Sequence, residues 1–273
     1  MADSRQRMSA LLEQILVAKR RQIESAKAQA PLESLKDAIA AAGRPRNFFS
    51  AVTRKPRSQK LAVIAQIARP PDGSAAKFDL ARSAQFCDHA GAVALGVVTD
   101  ATQFRGQLSD IQAVRSVVKL PVLRYDFLID PWQIYESRAC GADAVVLMAS
   151  LLRTHELIDL QILATELKLT SLIEVRNIDE LMRVRDTVVG FPHRSYSLLG
   201  INNRDWDTGE ADLGTTLRML ELVSDREVLV SENGLHTRQH VRKLAKAGVR
   251  AAMVDESLLR ADGSTGRINR IFG

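Results

Sequence analysis

The segment LRYDFLID, residues 123–130, shows the pattern on which the fold class of this sequence depends. With the residues just before it, the segment predicts a buried strand, Pro121 to Leu123, that runs into the polar turn Arg124-Tyr125-Asp126. Polar side chains that directly follow an apolar strand are typical of the catalytic rim of a barrel. The tyrosine at position 125 stands out, because a charged side chain there would contribute more to chemistry.

The same strand pattern recurs along the chain. Short β-branched runs alternate with helical segments, and the runs start about 22 to 31 residues apart. Near-continuous apolar strands that alternate with helices predict a parallel sheet buried on both faces, and eight such units predict an α/β fold of the (β/α)8 TIM-barrel type. The eight predicted strands are residues 61–67, 92–98, 121–125, 143–148, 171–175, 196–202, 227–231 and 250–254.

A doubly wound open sheet is the alternative fold. Such a sheet usually has a glycine-rich phosphate loop after its first strand, whereas this chain has RPPDG at residues 69–73. The barrel is therefore the favoured prediction.

The N-terminal region differs from the rest of the chain. Apolar residues at helical spacing predict an amphipathic helix over residues 6–28, and a second short helix is expected around residues 35–42. Pro31, Pro45 and Pro56 interrupt this region. We predict a helical extension, residues 1–58, packed on a barrel of residues 59–273, with both parts forming a single domain.

Composition excludes several classes of function. The chain has 273 residues, of which 46% are hydrophobic and 26% charged, as in ordinary globular proteins. No apolar run has the length of a membrane span, the N-terminus lacks a secretory signal, and Cys87 and Cys140 lack metal-type spacing. The formal charge of +6 is not arranged as a basic stripe with aromatics, so no nucleic acid is expected. We expect a cytoplasmic protein with reduced, buried thiols.

The rim of the predicted barrel is polar, and its residues can be read directly after each strand. Glu174, between Ile173 and Val175, is the candidate general base, with a pKa raised by burial. The alternative is an ion pair with Arg124, Arg176 or Arg204, and the sequence favours neither interpretation. The rim comprises Gln66, Ala68, Thr99, Asp100, residues 124–126 and 148–150, Glu174, Arg176, and residues 202–205, 231–234 and 255–257.

Six segments in order carry a family resemblance, which runs from the N-terminal helix to Leu259. Together they resemble indole-3-glycerol-phosphate synthase. The segments are VTDATQFRG (98–106), PVLRYDFLIDPWQI (121–134), RACGADAVVLM (138–148), SLIEVRNIDEL (171–181), GINNRDWDT (200–208) and VSENGLHT (230–237).

The resemblance implies a carbon–carbon lyase of tryptophan biosynthesis. Such an enzyme closes the indole ring of a carboxyphenylamino-deoxyribulose 5-phosphate, with loss of CO2 and water. An acid protonates the sugar carbonyl while the anthranilate ring carbon attacks it. The expected partner is a small aromatic substrate, with no metal, no cofactor and no membrane, and the chain is expected to be a monomer or homodimer.

The resemblance assigns roles to individual positions. Glu174 matches the family's base, Tyr125 stands where the family has its acid, and Asn202 matches the asparagine after the sixth strand. The phenylalanines among the other positions are expected to border the aromatic part of the ligand. The candidate substrate-binding residues are Gln66, Phe104, Phe127, Arg204, Glu232, Asn233 and Gly234.

Several positions depart from the family pattern. Glu-Ile-Lys of the first strand is Gln66-Ile67-Ala68, the third-strand lysine is Tyr125, and the seventh-strand serine is Asn233. Each lost lysine charge would be worth up to about 4 kcal/mol at 4 Å and an effective dielectric near 20. Tyr125 could still act as an acid, because its reference pKa of about 10 is close to that of lysine. The paired loss of glutamate and lysine on the first strand keeps the charge balanced and favours a repurposed site.

The phosphate site also departs from the pattern. Ser-Pro-Ser after the first strand is Pro71-Asp72-Gly73, and the glycine after the eighth strand is Asp255. Asp255 either repels a phosphate or caps the helix that follows, Glu256–Arg260. Three hypotheses remain: a slow enzyme of the family's reaction, a related enzyme for a different aromatic substrate with or without a phosphate, or a non-catalytic barrel that binds a ligand or partner.

Overall fold

Eight parallel strands close into a barrel in sequence order, which confirms the predicted (β/α)8 fold. The computed structural model describes residues 2–70, 78–185, 190–206, 208–260 and 267–273. Strand β3 pairs Val97 with Arg124 and Val98 with Tyr125, so both residues lie within the strand, as in the predicted range 121–125, and the prediction of a turn at these two residues is wrong. The strands are β1 (Ala62–Ile67), β2 (Ala94–Val98), β3 (Val122–Tyr125), β4 (Ala144–Met148), β5 (Thr170–Val175), β6 (Ser197–Asn202), β7 (Leu229–Glu232) and β8 (Ala251–Asp255).

Helices follow the strands and surround the barrel. Several of them begin at a capping side chain, as at Asp130, whose side chain and Gln133 form a capping box ahead of Pro131. The helices are α1 (Ala2–Gln29), α2 (Leu32–Ala41), α3 (Phe48–Thr53), α4 (Leu80–Ala90), α5 (Ala101–Phe104), α6 (Ser109–Val117), α7 (Pro131–Ala139), α8 (Thr154–Glu166), α9 (Ile178–Val184), α10 (Gly214–Met219), α11 (Arg238–Lys246), α12 (Glu256–Arg260) and α13 (Arg267–Phe272).

The short helix α3 was not predicted. Asn47 caps it by accepting a hydrogen bond from the Ser50 N–H, and Phe48, Phe49 and Val52 are buried. These side chains belong to the same apolar cluster as the inward-facing residues of the strands, so α3 packs against the N-terminal end of the barrel interior. The opposite, C-terminal end is left for function.

Helix α1 lies against the barrel through a narrow buried face. Ile15, Lys19 and Ile23 are buried and stand four residues apart, so they share one side of the helix. Ile23 packs with Trp132 of α7, whose indole N–H donates to the Ala30 carbonyl oxygen at 3.0 Å. The chain before the barrel is thus tied to helix α7, next to strand β3.

The barrel interior is filled in layers, because inward-facing side chains alternate along each strand. Below the C-terminal mouth, Ile64, Leu123, Leu172 and Val230 of the odd strands belong to one apolar cluster. Two residues further along each odd strand, the side chains become polar. This uppermost odd-strand layer consists of Gln66, Tyr125, Glu174 and Glu232.

Candidate active site

The uppermost layer brings together two of the three predicted catalytic residues, and the third lies just above. The Tyr125 hydroxyl donates a hydrogen bond to Oε2 of Glu174 at 2.5 Å. The Asn202 amide lies 3.5 Å from the same hydroxyl and holds its own position by accepting from Asn233 Nδ2 at 2.9 Å. A phenol, a carboxyl group and an amide therefore meet at one point of the mouth.

Glu232 lies beside this group as a second buried carboxyl. It stands over Gly200 of strand β6, where any Cβ would overlap its Oε1 atom, so glycine is required at position 200 to make room. No N–H or O–H group of the described residues donates to either oxygen of Glu232, and Oε1 of Glu174 also lacks such a donor. The site thus holds acceptors without partners.

Burial controls the protonation of the two carboxyl groups. It raises the pKa of Glu174 above its ordinary value, although the Tyr125 hydrogen bond and the charge of Arg176 oppose this shift. Burial also raises the pKa of Glu232 well above its usual range, and the neighbouring Glu174 adds to that effect. Two carboxyl groups that both resist ionisation favour a pair that keeps one proton between them.

Tyr125 is a weaker acid than its reference value implies. Burial raises its pKa well above 10, and the nearby Glu174 and Glu232 carboxyl groups raise it further. The comparison with lysine that the reference values suggested does not hold in the folded protein. Tyr125 is a neutral hydrogen-bond donor there, and it needs a proton source behind it to act repeatedly as an acid.

The alternative ion pairs of Glu174 are not formed among the described residues. Arg124 pairs with Asp126 at 3.0 Å and with Glu136 at 2.8 Å. Arg204 donates from Nη1 to the Gly209 carbonyl oxygen at 2.9 Å, and the nearest carboxylate to Arg176 is Glu180, at 3.9 Å. Glu174 therefore keeps the geometry of a candidate base.

Three aromatic rings border the mouth. The Phe127 and Phe104 rings are stacked with centroids 6.3 Å apart, and Trp206 meets Phe127 edge-on at 5.6 Å. Phe127 is buried, whereas Phe104 is 41% exposed. The predicted ring-binding residues Phe104 and Phe127 are thus adjacent, and Trp206 extends the surface that they form.

The remaining predicted positions lie just after strand β7 and at the end of strand β8. Asn233 and Gly234 adopt left-handed backbone conformations, with φ of 61° and 75°. The exposed Asp255 accepts a hydrogen bond from the Ser257 N–H at 2.8 Å and so caps helix α12. Residues 71–73, the other departure in the predicted phosphate site, lie outside the described residues.

The sequence analysis missed Lys19. Its Nζ atom lies 2.5 Å from Asp100 Oδ1 and 2.8 Å from Asp126 Oδ1, and all three side chains are buried. Burial alone would raise the pKa of Asp126, but Arg124 and Lys19 lower it to about 2. The signal was present in the sequence, because Lys19 falls midway between Ile15 and Ile23 on the apolar face of α1.

Two further properties concern ligands and membranes. Among the described residues, no three His, Cys, Asp or Glu side chains are grouped so that they could hold a metal ion. Crossing a membrane requires a length and apolar character that none of the described helices has.

The chain is a (β/α)8 barrel with a phenol, two carboxyl groups and an amide at its C-terminal mouth, bordered by aromatic rings, at the end where barrel enzymes have their sites. The family model "Indole-3-glycerol phosphate synthase" matches residues 12–271. A protein of Albidiferax ferrireducens named indole-3-glycerol phosphate synthase is 39% identical over 261 residues, which cover 93% of this chain and 95% of that protein. The chain therefore belongs to the indole-3-glycerol phosphate synthase family, as its motifs predicted.

A solved structure shows the same fold at low sequence identity. It is described as the structural basis of mutual activation of the tryptophan synthase α2β2 complex from the hyperthermophile Pyrococcus furiosus. The match has a TM-score of 0.50 and 12% identity, and it covers 78% of this chain and 94% of that chain. At this identity the similarity supports the barrel fold alone.

Proposed function

We propose that the barrel mouth catalyses the family's ring closure in tryptophan biosynthesis, more slowly than a site with both lysines would. The substrate is the carboxyphenylamino-deoxyribulose 5-phosphate, which loses CO2 and water to give the indole ring. The observation that carries this proposal is the buried hydrogen bond from Tyr125 to Glu174, with Asn202 beside it. It joins a proton donor to a base at the end of the barrel where such chemistry takes place.

The proton balance assigns a role to each group. The sugar carbonyl oxygen gains two protons before it leaves as water. One proton is released from the methylene carbon bound to the anilino nitrogen. The carboxylate leaves as CO2 without a proton, so each turnover takes up one proton from solvent. Tyr125 delivers protons to the oxygen, Glu174 accepts the carbon's proton, and the pair of Glu174 and Glu232 supplies Tyr125 again.

The slow rate follows from two features of the site. Ala68 and Tyr125 bring no positive charge to a substrate that carries a carboxylate and a phosphate. The raised pKa of Tyr125 also lowers the driving force for proton transfer to the carbonyl oxygen.

A turnover assay on the purified chain tests the proposal, with the indole product followed by fluorescence. Wild type is expected to turn over slowly, Glu174→Gln to abolish turnover, and Tyr125→Phe to reduce it about 100-fold or more. Circular dichroism and a cooperative thermal transition establish that each variant is folded. A folded wild-type chain without turnover would reject the family reaction for this protein.

One observation favours a second candidate function, action on an unphosphorylated aromatic substrate. The Asp255 carboxylate occupies the Ser257 N–H, which is a backbone donor of the kind that a phosphate would need. On this candidate, wild type does not bind inorganic phosphate, and Asp255→Gly creates binding. Calorimetric titration with phosphate decides the matter, since binding by wild type would remove the reason for the second candidate.

A further inference from the structure

The guanidinium of Arg176 is buried without hydrogen-bond partners. Its side chain is 7% exposed, and neither Nη1 nor Nη2 contacts an acceptor among the described residues. The nearest carboxylate oxygen, Oε1 of Glu180, is 3.9 Å from Nη2, which is too long for a hydrogen bond. Four N–H bonds of a permanently charged group are thus available inside the protein.

The surroundings hold this guanidinium in a fixed plane. Its Cζ atom lies 4.7 Å from the centroid of the Trp206 ring, so the group is placed over the indole face. Its backbone N–H donates to Glu180 at 2.9 Å, and the next residue, Asn177, caps helix α9. The backbone at the end of strand β5 is therefore anchored, and the terminal nitrogens are presented as a rigid fork.

Burying a charged group without partners is costly, which indicates a missing partner. Neighbouring cations show the contrast, because Lys19 and Arg124 each contact two carboxylates. Arg176 lies close enough to Glu174 and Tyr125 for its charge to act on both groups. An anion bound by Arg176 would therefore lie next to the catalytic layer.

We propose that Arg176 binds the carboxylate of an aminobenzoate-type aromatic acid. A planar guanidinium fork matches a carboxylate through two parallel hydrogen bonds, and a single negative charge balances the single positive charge. The rings of Trp206 and Phe127 offer the adjacent surface for the aromatic part of the ligand. In this chain Arg176 thus supplies charge that Ala68 and Tyr125 do not, and the choice of ligand rests on the proposed function.

Equilibrium binding of two matched probes to the full chain tests the assignment. The probes are 2-aminobenzoate and its neutral analogue 2-aminobenzamide, which has the same ring and amine. Wild type is expected to bind the acid at least about tenfold more tightly than the amide. Arg176→Met should remove this preference by weakening the acid alone, and Arg176→Lys should keep part of it, since lysine retains the charge and loses the fork.

Controls separate binding from folding and from turnover. Arg194→Met, an equivalent change at an exposed arginine paired with Asp225 and Glu227, should leave both affinities unchanged. The assignment is overturned if the folded wild-type chain binds neither probe or shows no preference, or if Arg176→Met weakens both probes equally. A preference that depends on Arg176 in a chain without turnover would support the assignment and reject the family reaction. Turnover without that preference would support the family reaction and reject the assignment of Arg176.

Discussion

Two groups of charged residues lie at the same mouth of the barrel, and they differ in whether their charged groups have partners. Over strands β2 and β3, Lys19 joins Asp100 to Asp126, and Arg124 joins Asp126 to Glu136, so every charge has a partner. We call these five residues the paired cluster. Across strands β5 and β7, the carboxyl groups of Glu174 and Glu232 and the guanidinium of Arg176 have atoms without hydrogen-bond partners. We call these three residues the open cluster.

The difference separates structure from chemistry. Charges that satisfy one another have no capacity left for a ligand. In the paired cluster they hold helix α1 on the barrel through Lys19. Charges left open in a buried place lower stability, and a protein tolerates them where a ligand or a proton completes them. We therefore expect the paired cluster to control stability and the open cluster to control activity.

The largest expected effect comes from breaking the paired cluster. Lys19→Met leaves Asp100 without its cation and Asp126 with Arg124 alone. A buried pair that loses one partner costs about 3 kcal/mol of unfolding free energy. Urea denaturation followed by circular dichroism measures the loss.

Lys27→Met is the matched control on the same helix. Lys27 also pairs with an aspartate, Asp130 at 2.8 Å, but both side chains are about one-third exposed. Its loss should cost less than about 1 kcal/mol. Equal losses in the two variants would show that Lys19 is not a buried anchor.

The fold was predictable because a repeated signal carries it. Each strand is a short apolar run between helical segments, and eight repetitions fix the barrel even though the strand ends shift by one or two residues. The exact ends depend on pairing with neighbours, and this pairing decides for the predicted strand 121–125, and against the turn, at Arg124 and Tyr125. Helix α3 has only six residues, too few for its periodicity to stand out.

The site was predictable only in part. The strand ends placed Glu174, Tyr125 and Asn202 at the rim, and the family resemblance assigned their candidate roles. The partners of each group depend on side chains far apart in sequence, so the sequence could not decide between a base and an ion pair for Glu174. The carboxyl pair of Glu174 and Glu232 likewise requires Gly200, a glycine whose purpose is visible only in three dimensions.

The second prediction uses the opposite pKa shifts of the two clusters. The pKa of Asp126 falls to about 2 in the folded chain, against an ordinary value near 3.9. Its contribution to stability is therefore present above pH 4 and is lost as the pH falls toward 2. The difference between these two pKa values corresponds to about 2.5 kcal/mol in full. Because the carboxyl group is still half ionised at pH 2 in the folded chain, about 2 kcal/mol is lost by that pH. The stability difference between wild type and Asp126→Asn should shrink by that amount between pH 5 and pH 2.

Urea denaturation at each pH gives this difference directly. Taking the difference between the two proteins at each pH removes the contribution of the other titrating groups, because these groups are present in both proteins. A difference that stays constant over this range would mean that the ionised form of Asp126 gains nothing from Lys19 and Arg124.

The smallest expected effect is a gain in stability from the open cluster. The pKa of Glu232 is raised, so its contribution to stability is present below its ordinary pKa near 4.3 and is lost as the pH rises through the raised value. Glu232→Gln keeps the shape of the side chain without the charge. It should therefore be more stable than wild type by about 1 kcal/mol at pH 8, with the advantage vanishing near pH 4.5.

Glu221→Gln, at an exposed position, should change stability by less than about 0.5 kcal/mol at either pH. Glu232→Gln should also lower any turnover, because the proton supply to Tyr125 would depend on Glu174 alone. A gain in stability together with a loss of activity is expected when a catalytic residue is replaced, because such residues are retained for chemistry at the expense of stability. A loss of stability at pH 8 would instead place Glu232 with the paired cluster, as a charge that the fold requires.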